Sequence, residues 1–329
     1  MRFKIIKIEV AGVCNARCPY CPTGARNANP GGIMPANTFD ATLRRLESLN
    51  LIDSKSVLGL FLRGEPFLHP DLQSIIRVIN DHGLRYWIST NASIVPQIDE
   101  AFVQNLIAVR FSMCGFSQQS YDRIHKFKFD RITENIHIIV SRLRSSGYDQ
   151  WIDICFHVYR FNTDEIRECE RFANDLGVPL MLYDAYLIDW WQYDAFLKGT
   201  LPEEKRREIL DDLFIDEERL RNVPKRWRCP QWDILVINER GEVPVCCVLP
   251  NNHPSYSLGT LDDGITERLC SRPNLPICKT CMESGIGYRQ NHFEFKGDPS
   301  LRKYWRMIGM SIIKRKAFSQ ATPYAFPRR

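Results

Sequence analysis

Long apolar runs are missing from this sequence: nowhere in its 329 residues does one approach the ~18–20 residues that span a bilayer. The opening Met1-Arg2-Phe3-Lys4 leads straight into a strand-like segment without the apolar core of a signal peptide, so the expected location is the cytoplasm. Charge of one sign is also lacking. Forty-four Lys and Arg stand against 39 Asp and Glu, and a net charge of +5 is too mild to predict a nucleic-acid partner. No internal repeat or low-complexity tract is visible, which excludes solenoids and propellers. A 44% hydrophobic and 25% charged composition excludes disorder and collagen-like structure. The length suits two units, or one large α/β body with an appendage. What the chain has in excess is cysteine, twelve in all. Clustered cysteines in a chain with no secretion signal read as metal or redox ligands before disulfides.

Hydrophobic periodicity predicts six strands, over 5–10, 57–62, 86–89, 108–112, 152–158 and 180–183. Helices are expected between them, over 38–49, 72–82 and 131–146. A further one ends at 176–177, with Asn162 and Glu165 resembling a capping box at its start. Gly83 suits a helix C-terminus, and Pro96 the first turn of the helix after the third strand. Strands alternating with helices mean parallel β/α units, here a partial (β/α)6 TIM-like barrel. Arg63-Gly64-Glu65, Ser89-Thr90-Asn91, Ser112-Met113-Cys114, Tyr159-Arg160 and Asp184 all follow the apolar part of a strand. That puts them on the rim where such barrels carry active sites. The expected division is a barrel over 1–190, a helical bridge over 191–228, a small cysteine-rich α+β unit (hairpin plus helix) over 229–297, and a basic helix and tail over 298–329. Residues 302–316 read as a helix docked on the barrel with a solvated basic face.

The first strand is followed at once by Cys14-Asn15-Ala16-Arg17-Cys18-Pro19-Tyr20-Cys21, a C-x3-C-x2-C loop with no fourth cysteine or histidine nearby. Structural zinc takes four ligands. A cubane iron–sulfur cluster held by three thiolates keeps one iron open. The loop resembles that of the radical S-adenosylmethionine superfamily, and the resemblance runs over roughly residues 5–185 because further motifs fall in order. It implies a [4Fe–4S] cluster on Cys14, Cys18 and Cys21 whose open iron chelates S-adenosylmethionine. It also implies reductive cleavage to a 5′-deoxyadenosyl radical, and hydrogen abstraction from a substrate. Tyr20 lies where the family sets a residue against the adenine. Arg63-Gly64-Glu65-Pro66 resembles the family's Gly-Gly-Glu-Pro segment, with Arg63 in place of the first glycine; Gly64 and Glu65 would meet the methionine end, Glu65 accepting from its ammonium. Ser89 and Asn91 resemble ribose contacts, and Ser112 a carboxylate contact. Near position 114 the family often has an acidic residue, where this chain has Cys114.

Cys229, Cys246, Cys278 and Cys281 form a second set. Residues 232–238 with the turn Asn238-Glu239-Arg240-Gly241 read as a hairpin leading to Cys246, and Cys278-Lys279-Thr280-Cys281 as a C-x2-C knuckle. Four such thiols can close a zinc site or hold a complete iron–sulfur cluster, and spacing leaves both open. The pattern resembles the shortened SPASM, or twitch, appendage of some radical S-adenosylmethionine enzymes. That implies one auxiliary [4Fe–4S] cluster, because no cysteine follows Cys281. Cys247 adjoins Cys246 and points the other way in an extended segment. With Cys114 it is a candidate hydrogen donor, by likeness to radical epimerases. Cys155, Cys169 and Cys270 have no partner pattern and read as incidental.

The expected reaction is dehydrogenation of a carbinol on a small molecule (a sugar, aminocyclitol or nucleoside, carbohydrate or nucleotide-linked), with the second electron leaving to the auxiliary cluster. His157, Tyr159, Asp184 and Asp189 are candidate bases. A flavodoxin or ferredoxin is the expected electron donor. The chain begins one strand before the cluster loop, so no leader-peptide-binding domain is expected, which favours a small molecule over a peptide. The rivals are epimerisation of a sugar or peptide through a cysteine hydrogen donor, and peptide maturation of the sulfatase type. A non-catalytic iron–sulfur carrier or zinc adaptor is the alternative of another class, and it has no use for a rim of Glu65, Asn91 and Ser112.

Overall fold

A computed structural model describes residues 1–25, 31–215, 227–249 and 254–291. The basic helix expected over 298–329, and much of the later bridge, lie outside these. Strands β1 (Ile5–Ile8), β2 (Val57–Gly59), β3 (Arg85–Thr90), β4 (Leu106–Met113), β5 (Trp151–Val158), β6 (Leu180–Asp184) and β7 (Ile234–Ile237) form one parallel sheet. Its order is β6-β5-β4-β3-β2-β1-β7, so β6 and β7 are the two edges and the sheet is open. The α/β architecture and the six strands read from periodicity are all present.

The seventh strand differs from the sequence reading. Residues 232–238 were expected to start a hairpin in the appendage, but Ile234–Ile237 pairs in parallel with β1, from Ile5↔Ile234 to Ile8↔Ile237. All four of its residues are buried, as a parallel strand covered on both faces requires. The turn itself is real, with Gly241 at φ +77 donating to the Asn238 carbonyl. The antiparallel pair lies further on, β8 (Glu242–Pro244) against β9 (Ser257–Thr260).

Register assigns side chains to the two sheet faces. Ile6, Leu58, Ile88, Val109, Ile154 and Leu182 lie on the outer face and are buried in one core. Helices Ala36–Ser48, Leu72–Asp81, Phe129–Ser145 and Ile166–Asp175 each contribute residues at three- and four-residue spacing, such as Leu72, Ile75, Ile76 and Ile79. Each such aliphatic side chain contributes roughly 1.5–3 kcal/mol by leaving water. Gly83, at φ +63, ends the second of these helices as expected.

The inner face carries a polar layer. Arg110 of β4 grips Asp153 of β5 through Nε at 2.8 Å and Nη2 at 2.7 Å, and the Trp151 indole also donates to Asp153. Two local expectations fail. Pro96 precedes a helix that starts only at Glu100, where Asp99 accepts from the Phe102 amide. Asn162 and Glu165 form no capping box; they turn back onto the loop after β4, Asn162 donating to the Cys114 carbonyl and Glu165 accepting from Phe116, Ser117 and Ser120.

Candidate active site

Past the C-terminal ends of the strands lies a cavity of about 190 Å³, bordered by Cys14, Cys18 and Cys21 on one side and by Arg63, Glu65, Ser89, Asn91, Ser112, Cys114, His157 and Tyr159 on the others. Residues from five different strand ends thus meet at one place, as the rim argument requires. The cysteine loop is closed by local turns, Cys21 donating to the Cys18 carbonyl and Ala25 to that of Cys21. Gly24 sits so close that a Cβ would come within 2.5 Å of the Cys18 nitrogen, so this glycine lets the short helix Pro22–Ala25 lie against the loop. Burial pushes the Cys14 thiol up to about 12 and that of Cys18 well above its ordinary range.

Opposite the loop, Gly64 admits backbone packing that no other residue would: a Cβ there would lie 1.8 Å from the Ala11 carbonyl oxygen. Glu9 accepts from the amides of Arg63 and Gly64, and Glu65 donates through its amide to the Val13 carbonyl. Glu65 is buried. Its Oε1 accepts from Phe67 and from the Thr90 hydroxyl, and its Oε2 from the Asn91 amide at 2.7 Å. Oε2 therefore retains accepting capacity on a cavity-lining carboxylate. Burial raises this carboxyl to about 7, despite those donors. Asn91 donates through Nδ2 to the Cys14 sulfur and to Asn15 Oδ1, which ties the third strand to the cysteine loop.

Other expected residues are placed differently. Tyr20 lines the cavity, but its hydroxyl donates to Asp212 and its carbonyl accepts from both Ile188 and Asp189. Neither the hydroxyl nor the carbonyl is therefore free for a ligand. Ser112 and His157 are paired, Oγ to Nε2 at 2.9 Å, and burial together with Arg110 lowers the imidazole to about 4, so it stays neutral near pH 7. Tyr159 stacks on Phe161 beside the cavity. Asp184 is not brought there: its register with Val158 puts it on the outer sheet face, where its Oδ1 is buried without a partner. Asp189 caps the helix Trp190–Lys198, accepting from Trp191 and Gln192. Two of the four candidate bases therefore lie away from the cavity lining. Cys247 also points elsewhere, donating to Gln231 and packing with Ile5, Ile234 and Val236.

Sequence reading missed His125. It lines the cavity, is 6% exposed, and its buried Nδ1 has no hydrogen-bond partner. A lone histidine in a loop carries no sequence signal for this.

The second set converges as well. Cys229, Cys246, Cys278 and Cys281 border one tight pocket, walled by Trp190, Trp232, Leu249 and Ile277. Cys278 and Cys281 are not on a knuckle but on the helix Pro276–Ser284, where three-residue spacing puts both on one face. Every thiol has a donor: Gln231 N–H for Cys229, Val248 and Leu249 for Cys246, the Trp232 side chain for Cys278, and Gly287 N–H for Cys281. A Cβ on Gly287 would lie 2.9 Å from the Cys281 sulfur, so glycine allows that approach. Arg63 joins the two sites. It lines the first cavity and donates through Nη2 to the carbonyls of Cys247 and Val248, next to Cys246.

Among the described residues no three His, Cys, Asp or Glu side chains gather at single-ion spacing. Both cysteine sets border a hollow, and the four thiols of the second fit either a zinc ion or an iron–sulfur cluster. Among the described residues, too, no helix is long and apolar enough to cross a membrane.

Known proteins resemble this chain in sequence and in fold. An AdoMet-dependent heme synthase of Methanosarcina barkeri (strain Fusaro / DSM 804) is 26% identical over 185 residues, covering 53% of this chain and 48% of that protein. The dTDP-4-amino-4,6-dideoxy-D-glucose ammonia-lyase of Streptomyces venezuelae is 24% identical over 220 residues, covering 63% of this chain and 44% of that one. The matches thus span about half the length of these relatives. Among solved structures, native anSMEcpe with bound AdoMet superposes with a TM-score of 0.52 at 15% identity, covering 91% of this chain and 87% of that chain, a likeness of fold. The profile of the radical SAM superfamily matches residues 8–173, and the chain belongs to that superfamily.

Proposed function

We propose that this chain reductively cleaves S-adenosylmethionine and uses the resulting radical to dehydrogenate a carbinol of a small molecule, with an auxiliary iron–sulfur centre taking the second electron. The observation that carries the reading is the meeting of Cys14, Cys18 and Cys21 with Glu65 across one cavity. When bound, the three-thiolate cluster and S-adenosylmethionine supply one electron and a 5′-deoxyadenosyl radical that abstracts hydrogen. The protein's own part is to bind and orient. Glu65 would accept from the methionine ammonium, Gly64 lets its segment pack against the Ala11 carbonyl and so sets Glu65 in place, and Ser89 and Asn91 would border the ribose. Of the candidate bases for the hydroxyl proton, His157 and Tyr159 remain on the cavity lining.

The auxiliary site falls to Cys229, Cys246, Cys278 and Cys281, in a twitch-type appendage whose segments flank β7, the strand this stretch gives to the main sheet. Four N–H-supported thiols and no free ligand position suit electron storage, not substrate chelation. A sugar, aminocyclitol or nucleotide-linked substrate is in keeping with the Streptomyces relative, which acts on a dTDP-sugar. Flavodoxin or ferredoxin is the proposed electron donor. Epimerisation is the competing reading, and Cys114, at 1% exposure on the cavity wall, is its hydrogen donor in place of Cys247.

The test is anaerobic reconstitution with iron and sulfide, then S-adenosylmethionine and dithionite. The reading expects 5′-deoxyadenosine; its absence with an intact cluster would refute the cleavage activity. Once a substrate is found, oxidation gives a product two hydrogens lighter. Epimerisation leaves the mass unchanged in ordinary water and adds one deuterium in heavy water.

A further inference from the structure

Arg272 is 1% exposed, the largest fully buried side chain of the described residues. It is also a cation without an acid. Among the described residues no carboxylate pairs with it, and Asp233, the acidic group whose charge reaches it, is held by Arg228. Its donors are spent on backbone carbonyls: Nε on Leu269, Nη1 on Gln231, Ile234 and Val245, and Nη2 on Trp232. Those carbonyl dipoles, and the Phe3 ring 5.7 Å from its Cζ, offset part of its charge but supply no full counter-charge. Burying such a charge costs several kcal/mol unless an anion lies near.

The groups near it that could become anionic are, besides Asp233, thiols. Cys246, Cys278 and Cys229 are the three strongest, all bordering the second pocket. As neutral thiols they offer Arg272 nothing. As four metal-bound thiolates they carry more negative charge than the metal or core removes. The carbonyls that Arg272 holds also belong to the segments that carry these ligands: 231, 232 and 234 follow Cys229, and 245 precedes Cys246.

We infer that Arg272 is the built-in counter-ion of the anionic centre held by Cys229, Cys246, Cys278 and Cys281, a positioning residue whose charge favours loading of that centre and raises its reduction potential. The inference rests on the auxiliary-site reading above. It has two consequences. The empty protein carries a buried charge that loading neutralises, so loading stabilises the fold by more than the metal–sulfur bonds alone. The added electron on reduction is also partly balanced, which suits a centre that accepts one.

The test uses the full chain with Cys14, Cys18 and Cys21 changed to Ala, so that only the second site is read. It is loaded anaerobically with iron and sulfide, and separately with zinc alone. Arg272→Gln removes the charge and keeps some hydrogen bonding; Arg272→Lys keeps the charge and loses most of the carbonyl contacts. In Arg272→Gln the centre should be lost to a chelator on the order of tenfold faster, and the rise in unfolding temperature on loading should shrink. Its midpoint potential, followed by electron paramagnetic resonance, should fall. Arg272→Lys should hold the parent's potential, and it serves as the test on its own should the Gln variant not fold. Equal losses in both variants, or an unshifted potential in Arg272→Gln, would overturn the counter-ion role and leave a merely structural one. Zinc retained with the same charge dependence, and no cluster formed, would support the counter-ion and refute the cluster. No metal bound in any form would refute both.

Discussion

The two cysteine sets are built in opposite ways. The first has three thiols on a loop, bordering a cavity of about 190 Å³ that Glu65, Asn91, Ser112 and His157 also line. The second has four thiols closing on about 30 Å³ between indole and aliphatic walls, with Arg272 beneath. One leaves space and polar groups for an organic ligand; the other leaves neither. The proposed substrate chemistry falls to the first, and the proposed electron storage to the second. The difference follows from ligand count and from what borders the sulfur, not from the cysteines themselves.

The comparison can be broken most sharply at the first loop. Cys18→Ala should abolish 5′-deoxyadenosine formation entirely, because two thiolates do not hold the cluster; residual formation above background would contradict its assignment. Cys281→Ala should do the reverse: S-adenosylmethionine is still cleaved while the oxidised product is lost. Unchanged product in that variant removes the electron-accepting role of the second site.

Glu65→Gln should weaken S-adenosylmethionine binding roughly tenfold to a hundredfold, the worth of a charged hydrogen bond in a buried site. The pH sign follows from the raised carboxyl. Burial holds Glu65 near 7 in the ligand-free fold, whereas an ammonium partner requires it ionised. Affinity should therefore be flat above about pH 7 and fall below it by about tenfold per pH unit, with a proton released on binding. The Gln variant should lose this dependence. The same carboxyl binds its proton more tightly folded than unfolded, so its contribution to stability declines as pH rises from about 4.5 to about 7. A local effect is expected at the link between the sites. Arg63→Met removes two donations to the carbonyls of Cys247 and Val248, about 2 kcal/mol of local stability. Faster amide exchange confined to the second cysteine loop would report it; unchanged exchange there would show the link to be inert.

Much of this was legible in the residues. Helical spacing and continuous apolar runs identify six strands and their helices, and polar residues after the first five strands do meet at one rim. The order of cysteines, glycine and glutamate carries the first site, because close approach at Gly64 and chelation by three thiols each need those residue types. What could not be read depends on contacts distant in sequence. Ile234–Ile237 is equally apolar as a hairpin arm or as a buried parallel strand, and only its pairing with β1 decides. Asp189 and Asp184 look like rim acids, yet one caps a helix and the other faces outward. Asn162 and Glu165 satisfy the spacing of a capping box but bind the loop after β4 instead. Arg272, between a serine and a proline, looks like a surface charge until the fold closes over it.

The central claim is that an iron corner at Cys14, Cys18 and Cys21 stays open to the cofactor's methionine end. Electron paramagnetic resonance of the reduced, reconstituted protein tests it directly, with S-adenosylmethionine added under conditions too cold for turnover. A changed cluster signal in the parent protein, absent in Cys18→Ala, is the predicted result; a spectrum indifferent to S-adenosylmethionine would contradict the account.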